Sequence, residues 1–139
     1  MIDEYELKEV GVYSIELYAV DDCGQYIAMW KGSYTYKQMP NTLNVSGKTA
    51  TIKKKKVKRK NKTLKVGKVI NFKNKGQGTL SYSKISGNKK IKINSKNGNV
   101  TVKKKIKKGK YKVWVWVKAS GNAQYTQAKK KVKFTIRIK

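Results

Sequence analysis

The stretch Gly109–Lys139, GKYKVWVWVKASGNAQYTQAKKKVKFTIRIK, decides the fold. Apolar and polar residues alternate from Lys110 to Lys118 and again from Gln127 to Ile138, with a turn containing Ser, Gly and Asn between the runs. Period-two alternation of this length reads as two half-buried strands and not as a helix, so the stretch is expected to form the closing hairpin of a β-sandwich.

The 139 residues carry a formal charge of +28 and are 38% hydrophobic. That apolar fraction, with the alternation, argues for a folded chain the size of one ordinary domain and against disorder. The charge is unevenly placed. All seven acidic residues, Asp3, Glu4, Glu6, Glu9, Glu16, Asp21 and Asp22, lie in the first forty positions beside Lys8, Lys31 and Lys37. Residues 41–139 hold the other thirty-two basic residues and no carboxylate side chain. The shift puts a seam at Pro40-Asn41, dividing a front segment, 1–40, from a main domain, 41–139. Cys23 is the single cysteine, so no intramolecular disulfide is available, which is neutral as to compartment. No apolar run approaches the roughly 18 residues that span a bilayer, and the opening MIDEYELKEV is acidic where a secretory leader is basic and then apolar.

Outward from the closing hairpin, the same period recurs. In GVYSIELYAV, Tyr13, Ile15, Leu17 and Ala19 alternate with Ser14, Glu16, Tyr18 and Val20; the turn Asp21-Asp22-Cys23-Gly24 and a second extended run to Met39 complete a front hairpin. An isolated hairpin is marginal in water, so its apolar side is expected to rest on something. After Pro40 come a short strand, a turn at Ser46-Gly47, and a strand with Ala50 and Ile52 on one side. Leu64, Val66, Ile70 and Phe72 are candidate core residues, Asn74 to Gly78 is a turn by composition, and TLSYSKI is a strand whose inward face period two leaves undecided. Ile91 and Ile93 alternate before Asn97-Gly98, and Val100 and Val102 after it, which is a hairpin signal. About seven short strands with turn signals between them and no helical stretch make an all-β chain of sandwich type.

Shifting the sequence by 98 positions lays Gly11-Val12-Tyr13 on Gly109-Lys110-Tyr111, Ile15 on Val113, Leu17 on Val115 and Ala19 on Val117. A period near one hundred is one immunoglobulin-sized unit, so the front hairpin reads as the end of a preceding repeat. NTLNVSGKTATIKKKKVKRKNKTLKV, NGNVTVKKKIKKGKYKV and KASGNAQYTQAKKKVKFTIRIK, which together cover about residues 41–139, are similar to the lysine-rich bacterial immunoglobulin-like repeats of large surface proteins of Gram-positive bacteria. The resemblance implies an immunoglobulin-like β-sandwich in an extracellular, non-catalytic module of a wall or adhesion protein, with neighbouring repeats as its partners. The Gly-x-Tyr start of the penultimate strand resembles the tyrosine corner of such sandwiches, which gives Tyr111, and Tyr13 in the front hairpin, a structural role.

Residues 41–139 contain no His, Cys, Asp or Glu, so they offer no ordinary general base or hard-metal ligand set; no catalysis and no cofactor are expected. In the front segment Asp21 and Asp22 read as turn chemistry in preference to a Ca²⁺ site. The run Lys53, Lys54, Lys55, Lys56, Lys58, Arg59, Lys60 and Lys62 is a candidate polyanion patch, for anionic wall polymers or, as the rival class, for nucleic acid. Lysines at alternate strand positions also serve as a solvated surface that blocks edge pairing. If Tyr111, Val113, Val115 and Val117 face the core, Trp114 and Trp116 lie outside with Lys112 and Lys118, as a candidate contact surface. Three readings of those indoles stay open: cover by the front hairpin or a neighbouring repeat, stacking of sugar rings or bases, and packing against Tyr125 or local aliphatic stems. The expected role is a spacer or presentation module at a bacterial surface, held by charge to wall polymer or carbohydrate, with self-association through the front hairpin as a further class.

Overall fold

The structure, a computed structural model, describes residues 10–139. The lead-in YELKE and the carboxylates of Asp3, Glu4, Glu6 and Glu9 lie outside the described residues. Eleven strands follow in chain order: β1 (Gly11–Val20), β2 (Tyr26–Tyr36), β3 (Asn44–Gly47), β4 (Thr49–Ile52), β5 (Lys62–Leu64), β6 (Ile70–Asn74), β7 (Leu80–Ser86), β8 (Ile91–Ile93), β9 (Val100–Val102), β10 (Gly109–Ala119) and β11 (Ala128–Ile138). Single 3₁₀ turns at Lys54–Val57 and Val66–Lys68 are the helical pieces among the described residues.

The chain is all-β, and residues 41–139 form a sandwich. One layer has the order β4-β11-β10-β7. Its centre is the β10–β11 hairpin, antiparallel and unbroken from Gly109 opposite Ile138 to Ala119 opposite Ala128. β7 pairs antiparallel with β10, and β4 runs parallel to β11. The facing layer comprises the β3–β6 pair and the β5-β9-β8 sheet. The nine strand segments of the sandwich exceed the seven expected because two extended runs are interrupted, β3/β4 at Lys48 and β5/β6 at the Val66–Lys68 turn.

The first interruption corrects the reading of Ser46-Gly47 as a turn. Both residues lie in β3, and the chain crosses there from one layer to the other. The Lys48 N–H donates to the Val69 carbonyl at 2.8 Å and the Lys48 carbonyl accepts from the Thr135 N–H at 3.0 Å, so one residue bonds to both layers. Gly47 permits the crossing, since a Cβ there would run into the carbonyl of Lys133. A second correction concerns Asn97-Gly98, which sits in a six-residue loop between Ile93 and Val100 and not in a two-residue turn. Gly98 is needed for its φ of 71° and because a Cβ there would run into the Tyr82 ring and Val66.

One apolar core joins the layers. Val113, Val115 and Val117 of β10 and Val132, Phe134, Ile136 and Ile138 of β11 face Val45, Ile70, Ile91, Val100 and Val102. Each such side chain contributes about 1.5–3 kcal/mol on burial, which is how a sandwich without disulfides is held. Ala50 and Ile52 are buried as expected; of the other core candidates Ile70 is buried, while Leu64, Val66 and Phe72 pack at its margin. Tyr82, flanked by Leu80 and Lys84, decides the undetermined face of β7. The Lys84 stem runs inward and its ammonium donates to the carbonyls of Asn88 and Ile91 at 2.7 and 2.8 Å.

The seam at Pro40-Asn41 is tied to the sandwich. Met39 bridges to Tyr125, its N–H donating to Gln124 O at 2.8 Å, and the Asn41 side chain donates to Gln77 O and accepts from Gln77 N–H at 2.9 and 2.8 Å. β1 and β2 pair antiparallel as a separate two-stranded sheet.

Candidate functional site

β10 turns its even-numbered side chains away from the core, and the outer face of its sheet carries Trp114, Trp116, Lys112 and Lys118. Lys112, Trp114 and Lys118 are exposed and Trp116 is half-buried. What covers the indoles is β11. Lys129 Nζ lies 4.2 Å from the centre of the Trp116 ring, and Lys131 and Lys133 Nζ lie 5.0 and 5.4 Å from that of Trp114. These are cation–π distances. Strand twist selects the partners, because Lys131 stands directly opposite Trp116 and Lys133 opposite Trp114, yet Lys129 and Lys131 each reach the indole one diagonal step away. Lys129 thereby leans away from Lys118, the like charge directly across from it. The main chain of Tyr125 bridges to Met39.

The result is a row of three lysines on alternate β11 positions, whose backbone sites are about 7 Å apart, with their ammonium groups held over aromatic faces. A free surface lysine samples many rotamers, and pinning removes part of the entropy that a charged ligand would otherwise have to remove on binding.

The run from Lys53 to Lys62 forms no strand before Lys62. Val57, fully buried, anchors its 3₁₀ turn in the core and leaves Lys55, Lys56, Lys58, Arg59 and Lys60 exposed, with Lys54 half-buried. A second lysine run, Lys103 to Lys108, is brought against it: the N–H of Lys104 donates to Asn61 Oδ1 at 2.9 Å, that of Lys105 to Val57 O at 2.8 Å, and the Lys54 ammonium to Ile106 O. Ile106 is this run's buried anchor. Both runs, the Asn88–Lys90 turn and the end of β11 meet at one pole, where the Tyr111 hydroxyl donates to Lys107 O at 2.9 Å. That bond runs from the start of β10 to main chain four residues upstream, which is the form a tyrosine-corner contact takes. Tyr13 stands at the matching place in β1, opposite Tyr34, but the main chain four residues before it lies outside the described residues.

The front hairpin has another character. Asp21 Oδ1 accepts from the N–H groups of Cys23 and Gln25, both at 2.9 Å, which is turn chemistry. Glu16 pairs with Lys31 at 3.0 Å and accepts from the Tyr18 hydroxyl. Among its apolar side chains Ile15, Leu17, Trp30 and Tyr34 are exposed on one face. Among the described residues no three His, Cys, Asp or Glu side chains come together, and no helix is long and apolar enough to cross a membrane.

The structure thus separates the expected site residues into two places, the outer sheet face and the lysine pole. It also adds residues not singled out from the sequence: Lys129, Lys131 and Lys133 on the face, and Lys89, Lys90, Lys105 and Lys107 at the pole. The first set follows from register, since opposing Val113 to Phe134 puts Lys133 beside Trp114. The second carries no local signal, because it is assembled from distant loops.

The chain matches no known protein family and no curated protein. Among solved structures it is similar to a SusE-like surface-located polysaccharide-binding protein from the Bacteroides thetaiotaomicron heparin utilisation locus, at 14% identity and a TM-score of 0.45 over 94% of this chain and 25% of that one. It is also similar to an endo-fucoidan hydrolase of glycoside hydrolase family 107, at 14% identity and a TM-score of 0.37 over 94% of this chain and 19% of the other. The chain therefore spans a quarter or less of the length of either protein.

Proposed function

We propose that the chain is a non-catalytic immunoglobulin-like module of a bacterial surface protein, a spacer that joins neighbouring repeats in series and is held by its lysines to an anionic surface polymer. The observation that carries the binding part is the row Lys129, Lys131 and Lys133 pinned on Trp114 and Trp116, in a domain with no carboxylate side chain to neutralise it. An anionic chain laid along β11 would meet these cations at strand spacing, with the lysine pole at one end of the same strand.

The spacer part draws on the path of the chain. Met39 lies beside Tyr125, ahead of β11, and the Lys139 N–H donates to Ile52 O at the other end of that eleven-residue strand, about 36 Å away. Contacts at opposite ends of one long strand suit a module that carries load along it. Tension between them loads the parallel β4–β11 pairing, Thr49–Thr135 through Ile52–Ile138, in shear across all four residue pairs at once.

Nucleic acid is the second reading, because any polyanion releases counterions from such a surface. A base stacking on Trp114 or Trp116 would have to compete with the ammonium groups already over those rings, which favours a polymer recognised through charge alone. The test is equilibrium binding of the full chain to a purified polyol-phosphate wall polymer, a neutral polysaccharide of similar size, and single-stranded DNA at physiological salt. Binding to the wall polymer above both others supports the proposal. Equal binding to the neutral polysaccharide, or stronger binding to DNA, overturns it.

A further inference from the structure

The Asn88–Lys90 turn and the Lys105–Lys107 segment enclose a cleft of about 230 Å³. The half-buried ring of Tyr111 lines its floor, with Ile106, only 1% exposed, packed at its base. Lys89, Lys90, Lys105 and Lys107 line the rest. The walls are tied together: Lys90 Nζ donates to Lys105 O at 2.9 Å, the Lys103 N–H to Lys90 O at 2.8 Å, and the Tyr111 hydroxyl to Lys107 O at 2.9 Å. Lys105 holds a φ of 59°, the one positive value among the described non-glycine residues. That conformation is disfavoured for a residue with a Cβ, and glycine would adopt it freely, so what lysine contributes here is its ammonium group.

We propose that this cleft is a binding site for one anionic group, a sulfate, phosphate or carboxylate, carried on a sugar-sized unit whose ring rests on Tyr111. It would set the position of a polymer that the remaining lysines hold diffusely, and in that respect it rests on the polymer-binding reading above. Four lysines drawn from two loops line this one small space. A ligand there can meet several cationic donors at once.

The experiment titrates the full chain with glucose 6-sulfate, glucose 6-phosphate, glucuronate and glucose, following backbone amides by NMR. At least one anionic probe is expected to shift the amides of Lys89, Lys90 and Lys105–Lys107 with single-site saturation, glucose is expected not to, and the strongest probe identifies the group. Lys105→Gly removes the ammonium while relieving the backbone and should weaken that probe by about tenfold. Lys73→Gln, which removes the same charge from β6, should change it by less than about twofold. Shifts spread over the surface without the cleft, or equal losses from the two variants, overturn the proposal. With the polyol-phosphate polymer the failures separate. Equal affinity of Lys105→Gly and the parent chain for the polymer sinks the cleft alone, and no affinity in either sinks the reading beneath it.

Discussion

Lys129 Nζ sits 4.2 Å from the centre of the Trp116 ring although Lys131, not Lys129, is the residue directly opposite Trp116 across the β10–β11 pair. The diagonal reach places a cation over an aromatic face and moves it away from Lys118. If these pairs pre-organise the cation row, Trp114→Ala and Trp116→Ala should each weaken binding to an anionic polymer by about threefold to fivefold, although neither changes the charge. Both indoles lie outside the core, so the denaturation midpoint should move little. Unchanged affinity in both variants would mean that the rings merely fill the surface.

Gly47 is a second point at which a small change has a large expected effect. Gly47→Ala forces a methyl group into the Lys133 carbonyl at the crossing between layers, and should cost about 3 kcal/mol in chemical denaturation. A loss below about 0.5 kcal/mol would show that β3 and β11 can move apart freely.

Acid should leave the sandwich alone. Acid unfolding comes mainly from protonating carboxylates that are paired in the native state, and residues 41–139 have neither a carboxylate side chain nor a histidine to titrate. In the hairpin, the Tyr18 hydroxyl and then Lys31 hold the Glu16 carboxyl below its ordinary value of 4.5, so what that group contributes is present above 4.5 and is lost as pH falls through its lowered pKa. The main unfolding midpoint is therefore expected to stay level between about pH 7 and about pH 3, while hairpin amide signals change at the acid end. A steady fall of the main midpoint over that range would contradict this.

The alkaline side carries two opposed contributions. Burial, and then the like charge of Lys92, hold Lys84 below its ordinary 10.5, so the cost of keeping it charged in the fold is relieved as pH rises toward that value. Burial raises Tyr82 above its ordinary 10.0, so its stabilising share is complete below 10.0 and is lost as pH climbs through the raised pKa. Stability measured against pH should show the parent chain losing ground to Tyr82→Phe above pH 10. A constant difference between the two would show that Tyr82 ionises in the fold as it does in the unfolded chain.

Where the two sides of a strand differ in chemistry, its burial was legible from sequence. Val113, Val115 and Val117 against Lys112 and Lys118 leave no doubt which side of β10 is inside, and the place of Trp114 and Trp116 follows. Where contacts distant in sequence decide, it was not. Ser46-Gly47 has the composition of a turn, and only the approach of Lys133 makes it a strand crossing. Lys84 points inward because its ammonium can reach the carbonyls of Asn88 and Ile91, which no period reports. Val57 sits inside a lysine run, where local composition hides an anchor of the core. The cleft beside Tyr111 arises because two loops and a strand start share one pole.

The most direct test of polymer binding by this surface is the affinity of the full chain for an anionic polyol-phosphate polymer, measured across a range of salt concentrations. If Lys129, Lys131 and Lys133 displace counterions together with the lysines of the pole, log affinity should fall linearly with log salt, with a slope of about 3 or more. Affinity that is flat across the range, or a neutral polysaccharide bound equally well, would contradict it.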